Sequence, residues 1–254
     1  MVEGPPPLLL EERFSAAAAG LQRQEQLAEA LGPERPALLL AWQAPQAMIL
    51  GHSDTRLPDL PRARTTLEAA GWPVLTRRSG GSACPVEPGM LQLALARVAP
   101  PGFTIEAAYA ELAGLLRAAC ATYGLALEIG ECAAAFCPGR WDLAFEGRKL
   151  AGLSQRWQQR RGLRLVTTAA SLNVSADPHR LSACVESFYS SAGAPRACPA
   201  ATLHSLAQAV PEHQVTCARF LQQLANDLAD GRTSLADSCS IADETCATRQ
   251  EIAL

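Results

Sequence analysis

The 254-residue chain predicts an α/β protein of the α+β kind, in which helices flank a mixed, largely antiparallel central sheet. Two observations indicate this fold class. Short apolar segments of strand length follow one another in the middle of the chain, as at the turn Glu146-Gly147, and segments with helical spacing lie between and after them. Neither a glycine-rich dinucleotide fingerprint nor a P-loop is present, so a doubly wound nucleotide-binding sheet is not predicted.

The first half of the chain predicts three helices separated by strands. Residues 13–32 have the spacing of an amphipathic helix that ends at Gly32-Pro33. The helix from Leu60 to Ala70 stops at Gly71, and Thr104 caps a longer helix that ends at Gly124. A glycine-rich loop is predicted at 77–89. The predicted strands are residues 36–42, 47–51, 72–76, 90–98 and 125–130.

The second half predicts a hairpin followed by helices. Residues 141–145 and 148–157 pair about Glu146-Gly147, and residues 163–174 are the next strand. Asp177-Pro178 begins a helix that reaches Tyr189. Two more helices are predicted at 202–210 and 215–229. This order of elements predicts one domain over residues 1–230, with a core at about 36–190 and a helical C-terminal part at 202–230. Residues 231–254 are predicted to be a flexible tail.

Composition restricts the function classes. Hydrophobic residues make up 48% and charged residues 19% of the chain, as in a folded globular protein. A net charge of −3 argues against a nucleic-acid binder, and the local basic run from Arg156 to Arg164 suits an acidic protein partner or a hairpin edge. No apolar stretch has the roughly 20 residues of a membrane helix, and the N-terminus lacks the pattern of a signal peptide. We therefore expect a cytoplasmic protein without nucleic-acid or membrane partners.

Most of the nine cysteines fit a hydrophobic core. The number is odd and no export signal is present, so a disulfide framework is not predicted. Cys120, Cys184 and Cys217 lie on apolar stripes with helical spacing, where a cysteine packs as a small hydrophobic residue. No Cys-x-x-Cys pair exists, and no metal site is predicted.

One segment, residues 136–157, carries the groups that acyl transfer needs. Cys137 lies on a Pro-Gly turn, Lys149 is the only lysine of the chain, and Gly152 leaves the backbone open beside it. A thiol can hold an acyl group, and an ammonium can polarise a carbonyl. An incidental thiol and a surface lysine are the alternatives, and Cys84 is the rival nucleophile.

A glycine-rich loop supplies further candidates. Arg77, Arg78, Ser79, Gly80 and Gly81 directly follow a predicted strand. Adjacent glycines let backbone approach a ligand closely, and arginines supply positive charge. An ordinary loop with two solvated arginines is the alternative. These five residues, together with Gly152 and Ser154, make seven candidate substrate-binding residues.

The predicted hairpin sets a geometric condition on the site. If residues 141–145 pair with the strand that begins at Arg148, Lys149 lies opposite Ala144. Cys137 is then up to about 23 Å from Ala144 along an extended chain. A shared site requires residues 136–140 to turn back over the sheet, which Pro138-Gly139 permits.

Seven motifs in order carry a family resemblance. The chain resembles the biotin/lipoate protein ligase family, and Cys137-Pro-Gly and Asp54-Thr-Arg-Leu-Pro are similar to segments of its amidotransferases, which move octanoyl or lipoyl groups from the glycine cleavage H protein to lipoyl domains. The motifs are Leu38-Leu-Leu-Ala-Trp, Met48-Ile-Leu-Gly, Asp54-Thr-Arg-Leu-Pro, Arg77-Arg-Ser-Gly-Gly, Gly89-Met-Leu-Gln-Leu, Cys137-Pro-Gly-Arg-Trp-Asp-Leu and Gly147-Arg-Lys-Leu-Ala-Gly-Leu-Ser-Gln-Arg.

The resemblance implies a fold and a mechanism. The fold would be that of the biotinyl/lipoyl protein ligases, and residues 1–230 would be one catalytic domain. Cys137 would hold the acyl group as a thioester, and Lys149 would bind the acyl carbonyl and favour the thiolate. The loop around Arg77, Gly80 and Gly81 would line the acyl tunnel. No metal or ATP would be required, and the partners would be the glycine cleavage H protein and lipoyl-domain proteins.

Two alternatives stay open beside the transferase. Ligases of the family have a longer glycine run and lack a cysteine at the position of Cys137, and both differences favour the transferase. Relatives have asparagine where Arg78 stands. The first alternative is an ATP-dependent lipoate or biotin ligase that uses ATP and Mg to form an acyl-adenylate, with Cys137 incidental. The second is a lipoyl-domain binder without catalytic activity.

Overall fold

The computed structural model describes residues 6–230 of the chain. The predicted tail at 231–254 lies outside the described residues. The ten strands of this part are β1 Leu8–Arg13, β2 Ala37–Gln43, β3 Ala47–Leu50, β4 Val74–Thr76, β5 Cys84–Val86, β6 Met90–Val98, β7 Glu128–Ile129, β8 Leu143–Phe145, β9 Arg148–Arg160 and β10 Leu163–Asn173. Its α-helices are α1 Ala17–Gln26, α2 Leu60–Ala69, α3 Ile105–Ala121, α4 Pro178–Ser191, α5 Leu206–Ala209 and α6 Cys217–Ala229. Short 3₁₀ turns are Leu27–Ala30, Ser53–Arg56, Ala200–Thr202 and Pro211–His213.

The main sheet confirms the predicted fold class. Its seven strands run in the order β1-β2-β6-β10-β9-β8-β7. β1 pairs with β2 in parallel, and the other neighbours are antiparallel. A separate three-stranded sheet, β4-β3-β5, differs from the single central sheet that the sequence predicts. The chain therefore brings two sheets together, and the candidate site lies where they meet.

Helices cover both faces of the main sheet. On one face, Leu116 of α3 and Phe220 of α6 lie in one hydrophobic cluster with Leu93 of β6. On the other, α1 packs against Leu40 and Trp42. α2 and α4 pack together over the small sheet in a further cluster, which includes Cys184. Cys120, Cys184 and Cys217 are buried as predicted. None of the helices described between residues 6 and 230 is long and apolar enough to cross a bilayer.

The hairpin of β8 and β9 has the predicted register. Ala144 lies opposite Lys149, and the turn residues Glu146 and Gly147 take positive φ angles of 51° and 71°. Arg161 and Gly162 do the same between β9 and β10. Positive φ at both central residues is what a two-residue type I′ hairpin turn requires. The turns therefore fix which β9 side chains face which neighbours.

Four element predictions differ from the structure. α1 begins at Ala17 rather than at residue 13, because residues 8–13 form β1 beside β2. Residues 27–30 form a 3₁₀ turn instead of continuing this helix. Part of the predicted loop at 77–89 forms β5 through its pairing with β3.

The predicted helix at 202–210 is also wrong over most of its length. Leu203 pairs with Lys149 in an isolated bridge, and the backbone N–H of His204 donates to the Lys149 carbonyl at 2.9 Å. These bonds require extended backbone, so α5 begins only after Ser205, whose side chain caps it through a capping box.

Candidate active site

Lys149 binds the loop that carries Cys137. Its Nζ donates to the carbonyl oxygens of Phe136 at 2.9 Å and Cys137 at 2.8 Å, and it pairs with Asp142 Oδ1 at 2.9 Å. The loop therefore turns back over the hairpin, as the sequence analysis required. The three hydrogens of the buried ammonium match three acceptors, so in this structure Lys149 positions the cysteine loop. Contact with an acyl carbonyl, which the resemblance implies, would need one of these acceptors to be replaced.

Asp142 connects the ammonium to the backbone of the same loop. Its Oδ2 accepts from the N–H of Gly139 at 3.1 Å and of Cys132 at 3.4 Å. Burial raises the pKa of the Asp142 carboxyl, while the Lys149 ammonium and the two N–H groups act in the opposite direction. A Cβ atom at Gly152 would lie 3.0 Å from Lys149 Cε and Nζ. Gly152 is therefore needed because the ammonium packs directly over its backbone.

The Cys137 thiol faces two hydrogen-bond donors. The backbone N–H of Ser82 donates to Cys137 Sγ at 3.2 Å, and Arg77 Nη2 does so at 3.5 Å. Cys137 has a positive φ of 44°, an uncommon backbone conformation for a residue other than glycine. A Cβ at Gly81 would lie 2.8 Å from this sulfur. The Ser82 N–H and the Arg77 guanidinium can stabilise negative charge on this sulfur during attack on a carbonyl.

Arg77 holds the glycine-rich loop in this position. Its buried guanidinium donates to the carbonyl oxygens of Ile49 at 3.1 Å, Gly80 at 3.0 Å and Ser82 at 2.8 Å. The alternative of a solvated arginine is therefore wrong for Arg77. Arg78 differs, because its side chain is 68% exposed and pairs with Glu25 at 3.3 Å.

Two further buried residues, Asp54 and Tyr189, support the glycine-rich loop. Asp54 Oδ2 accepts from the Gly51 N–H, and Oδ1 accepts from the Tyr189 hydroxyl at 3.0 Å. The Tyr189 oxygen in turn accepts from the N–H of Ala83 at 3.2 Å. A Cβ at Gly51 would overlap the carbonyl of Gly81. Sequence reasoning missed the roles of Asp142, Asp54 and Tyr189; the first two lie in quoted motifs, whereas nothing in the sequence connects Tyr189 to this loop.

The residues around Cys137 and Lys149 border one cleft between the two sheets, whereas Asp54 and Tyr189 lie outside its lining. The cleft encloses about 520 Å³ including its open mouth. The predicted residues Cys137, Lys149, Arg77, Gly152 and Ser154 all line it. Apolar side chains that complete its wall are Leu21, Trp42, Ile49, Phe136, Leu153 and Ala169. A thiol, a cation and an apolar wall are thus brought together in one space.

The remaining predicted residues, Arg78, Ser79, Gly80 and Gly81, do not line this cleft. The Ser79 hydroxyl is 3.1 Å from that of Ser154, so it joins the glycine-rich loop to β9. Arg78 and Ser79 line a second depression instead of the cleft itself. Gly80 contributes its carbonyl to Arg77 and has open space where a side chain would be.

Cys84, the rival nucleophile, lines the cleft as well. Burial raises the pKa of its thiol, although Arg77 opposes this change. Its Sγ donates to the carbonyl of Pro85 at 3.6 Å, and a hydrogen bond with Ser171 lowers the pKa of this thiol against the effect of burial. Cys137 Sγ accepts from two donors, the Ser82 N–H and Arg77. The geometry therefore favours Cys137 as the nucleophile.

Comparisons with known proteins identify relatives of this sequence. A protein of Geobacillus kaustophilus named octanoyl-[GcvH]:protein N-octanoyltransferase is 36% identical over 121 residues, which are 47% of this chain and 43% of the relative. A Listeria monocytogenes protein named lipoyl-[GcvH]:protein N-lipoyltransferase is 30% identical over 159 residues, covering 62% and 56%. The chain spans about half the length of the curated relatives it matches.

The fold is also that of solved structures. A lipoate-protein ligase A crystallised with ATP matches with a TM-score of 0.67 and 17% identity over 95% of this chain and 94% of the other. The family model of the lipoyl protein ligase A/B catalytic domain matches residues 16–229, which is most of the sequence. With the predicted motifs assembled around one cleft, this match confirms the resemblance, and the chain belongs to the lipoyl protein ligase A/B catalytic domain family.

Proposed function

We propose that this protein is an acyltransferase of protein lipoylation. It moves an octanoyl or lipoyl group from an acyl-carrying protein, such as the glycine cleavage H protein, to the lysine of a lipoyl domain through a thioester on Cys137. The observation that supports this most is the pair of donors on Cys137 Sγ at the wall of an apolar cleft. The names of the two bacterial relatives support the same reaction class.

The reaction exchanges one amide for another in two balanced steps. In the first, Cys137 sulfur bonds to the acyl carbon, the carbon–nitrogen bond of the donor's lysine amide breaks, and the thiol proton leaves with the lysine amine. In the second, the amine of the acceptor lysine attacks the thioester, and its proton returns to sulfur. Because a lysine amide is both consumed and formed, the overall exchange needs no activation by ATP.

The chain's own residues support these steps by position and charge. The Ser82 N–H and Arg77 stabilise the thiolate, both as nucleophile and as leaving group. Lys149 and Asp142 fix the loop that aims the thiol. The apolar wall around Ile49 and Leu153 holds the acyl chain and excludes water, which would otherwise hydrolyse the thioester. A cytoplasmic location and the lack of nucleic-acid and membrane partners remain predictions from the sequence.

Transfer without ATP tests the proposal. The protein is incubated with the octanoylated glycine cleavage H protein and an apo lipoyl domain, and acylation of the lipoyl domain is followed by mass. We expect transfer in the absence of ATP and Mg. Strict dependence on ATP would contradict the proposal and favour the ligase alternative, and binding without transfer under both conditions would favour a non-catalytic binder.

Two cysteine variants locate the nucleophile. Cys137→Ser should abolish the acyl-enzyme and transfer, because an unactivated serine hydroxyl is a much weaker nucleophile than a thiol. Cys84→Ser should still form the acyl-enzyme. The opposite pattern would assign the thioester to Cys84.

A further inference from the structure

The outer end of the β9–β10 hairpin and the adjacent loop carry four arginines, Arg78, Arg156, Arg160 and Arg161, which we name the arginine surface. Arg164 lies on the other face of the hairpin, where it pairs across from Gln159 and stacks on Trp157. The guanidinium of Arg156 makes no hydrogen bond or ion pair with any residue described between 6 and 230, and neither does that of Arg161. Exposed ion pairs involve two others, Arg78 with Glu25 and Arg160 with Glu29 at 3.1 Å. Exposed pairs contribute little stability, so their arginines can exchange partners.

This surface is continuous with the catalytic cleft. Alternate residues of a strand lie on one face, so Arg156 and Gln158 continue the row of Gly152 and Ser154 along β9. Arg78 and Arg156 line the second depression. That depression shares Leu21, Gln24, Arg77 and Ala169 with the cleft. A molecule seated at the mouth of the cleft would therefore also contact the arginine surface.

The charge of this surface is opposite to that of the whole chain. Two glutamates, Glu25 and Glu29, pair with arginines of this surface, which carries four arginines, whereas the chain carries a net charge of −3. A concentrated positive area on an acidic protein attracts acidic partners and orients them before contact. Its arginines lie on one hairpin end and one loop instead of being spread over the molecule.

We propose that the arginine surface docks an acidic face of the acyl-carrying protein domain, so that the carrier's lysine enters the cleft. The inference rests on the proposed function and names the surface that recognises donor and acceptor. From Ser154 to Arg160 the strand spans about 20 Å. A typical interface buries about 800 Å² on each partner, which is about 30 Å across. One small domain therefore covers both the cleft mouth and the arginine surface.

Two rates test this docking: acyl transfer to the apo lipoyl domain, and acylation of Cys137 by a small thioester that needs no docking surface. Arg156→Gln/Arg161→Gln removes the two arginines without described partners, so the fold should be retained. We expect the KM for the apo lipoyl domain to rise by about tenfold with kcat unchanged at saturation, since two charge contacts are lost. The rate of Cys137 acylation by the octanoyl thioester of a small thiol should stay the same. The increase in KM should shrink at high salt.

A variant with the same charge change is the control. Arg62→Glu on α2 also lowers the net charge by two, and Arg62 is an exposed residue on a helix that packs against α4. Its KM should equal that of the unchanged protein. Equal effects of both variants would show that only net charge matters and would overturn the proposal.

The other outcomes separate this inference from the proposed function. Normal acylation by the small thioester with an unchanged KM for the lipoyl domain would overturn the docking surface alone. Binding of anionic vesicles or of an RNA oligonucleotide through Arg156 and Arg161, with the same unchanged KM, would assign the surface to those partners instead. Failure of the unchanged protein to form any Cys137 adduct would overturn the proposed function itself.

Discussion

At the scale of single residues, the choice of lysine at position 149 has a structural reason. Its ammonium fits between two carbonyl oxygens and Asp142 Oδ1, directly over the backbone of Gly152. The planar guanidinium of arginine is larger and presents its donors in a fixed fork, so it cannot satisfy the same three acceptors in this space. The chain has 22 basic residues and only one lysine, which lies where arginine does not fit.

Gly152→Ala should impair catalysis more than stability. The added Cβ would lie 3.0 Å from Lys149 Nζ and 3.5 Å from Asp142 Oδ1, so the ammonium and the cysteine loop must shift. Misplacement of a reacting group commonly costs about 10- to 100-fold in rate. We expect a loss of this size in the rate of acyl-enzyme formation. Gly130→Ala is the matched control, since nothing lies within 4 Å of a Cβ there; an equal loss in both variants would refute this account of Gly152.

The buried pair of Lys149 and Asp142 should show coupling. Lys149→Met leaves a buried carboxylate without its counter-ion and should lower the free energy of unfolding by about 3–5 kcal/mol. Adding Asp142→Asn should restore part of this loss, because the amide is neutral and still accepts from Gly139 N–H. Chemical denaturation of both single variants and the double variant measures the coupling. Additive effects would show that the two groups do not interact.

Residue identity predicted part of the site. Cys137, Lys149 and Gly152 were predicted because a thiol on a turn, a lone lysine and an adjacent glycine are each unusual in the sequence. The role of Asp142 was missed, although it lies close by, since burial of a carboxylate depends on packing that no local pattern shows. Tyr189 lies 135 residues from Asp54, so its hydroxyl contact could not be predicted from either segment.

At the scale of elements, turns were predicted well and edge strands poorly. Glu146-Gly147 predicted the β8–β9 hairpin and its register, because a two-residue turn fixes both. β1 and β5 were missed because both are short segments that depend on pairing with distant strands. Residues 203–205 were predicted as helix but are extended, because the bonds of Leu203 and His204 to Lys149 outweigh the helical pattern.

His204, in this extended segment, should make stability depend on pH. Burial lowers the pKa of its imidazole below the ordinary value of 6.5, although Gln208 acts in the opposite direction. The unfolded chain then binds a proton that the folded chain does not, so the stability that neutral His204 supports is lost as pH falls through 6.5 and below. His204→Gln should lose less stability than the unchanged protein between pH 8 and pH 5.5 in urea denaturation. Parallel losses in the two proteins would contradict this role.

At the scale of the whole molecule, the site depends on two sheets and a helix. β3 and β5 of the small sheet contribute Ile49 and Cys84 to the cleft, β9 of the main sheet contributes Lys149, and α1 contributes Leu21. The sequence predicted most of these elements but only one sheet. The meeting of two sheets depends on long-range packing, so the cleft itself could be predicted only through the family resemblance.

The central claim is that the Cys137 sulfur carries the acyl group during turnover. Intact-mass analysis of the protein, quenched in acid after brief mixing with octanoylated glycine cleavage H protein, tests it most directly. The account predicts a mass increase of one octanoyl group that maps to Cys137 and disappears, at the rate of product formation, when apo lipoyl domain is added. Product formation with Cys137 unmodified throughout would contradict it.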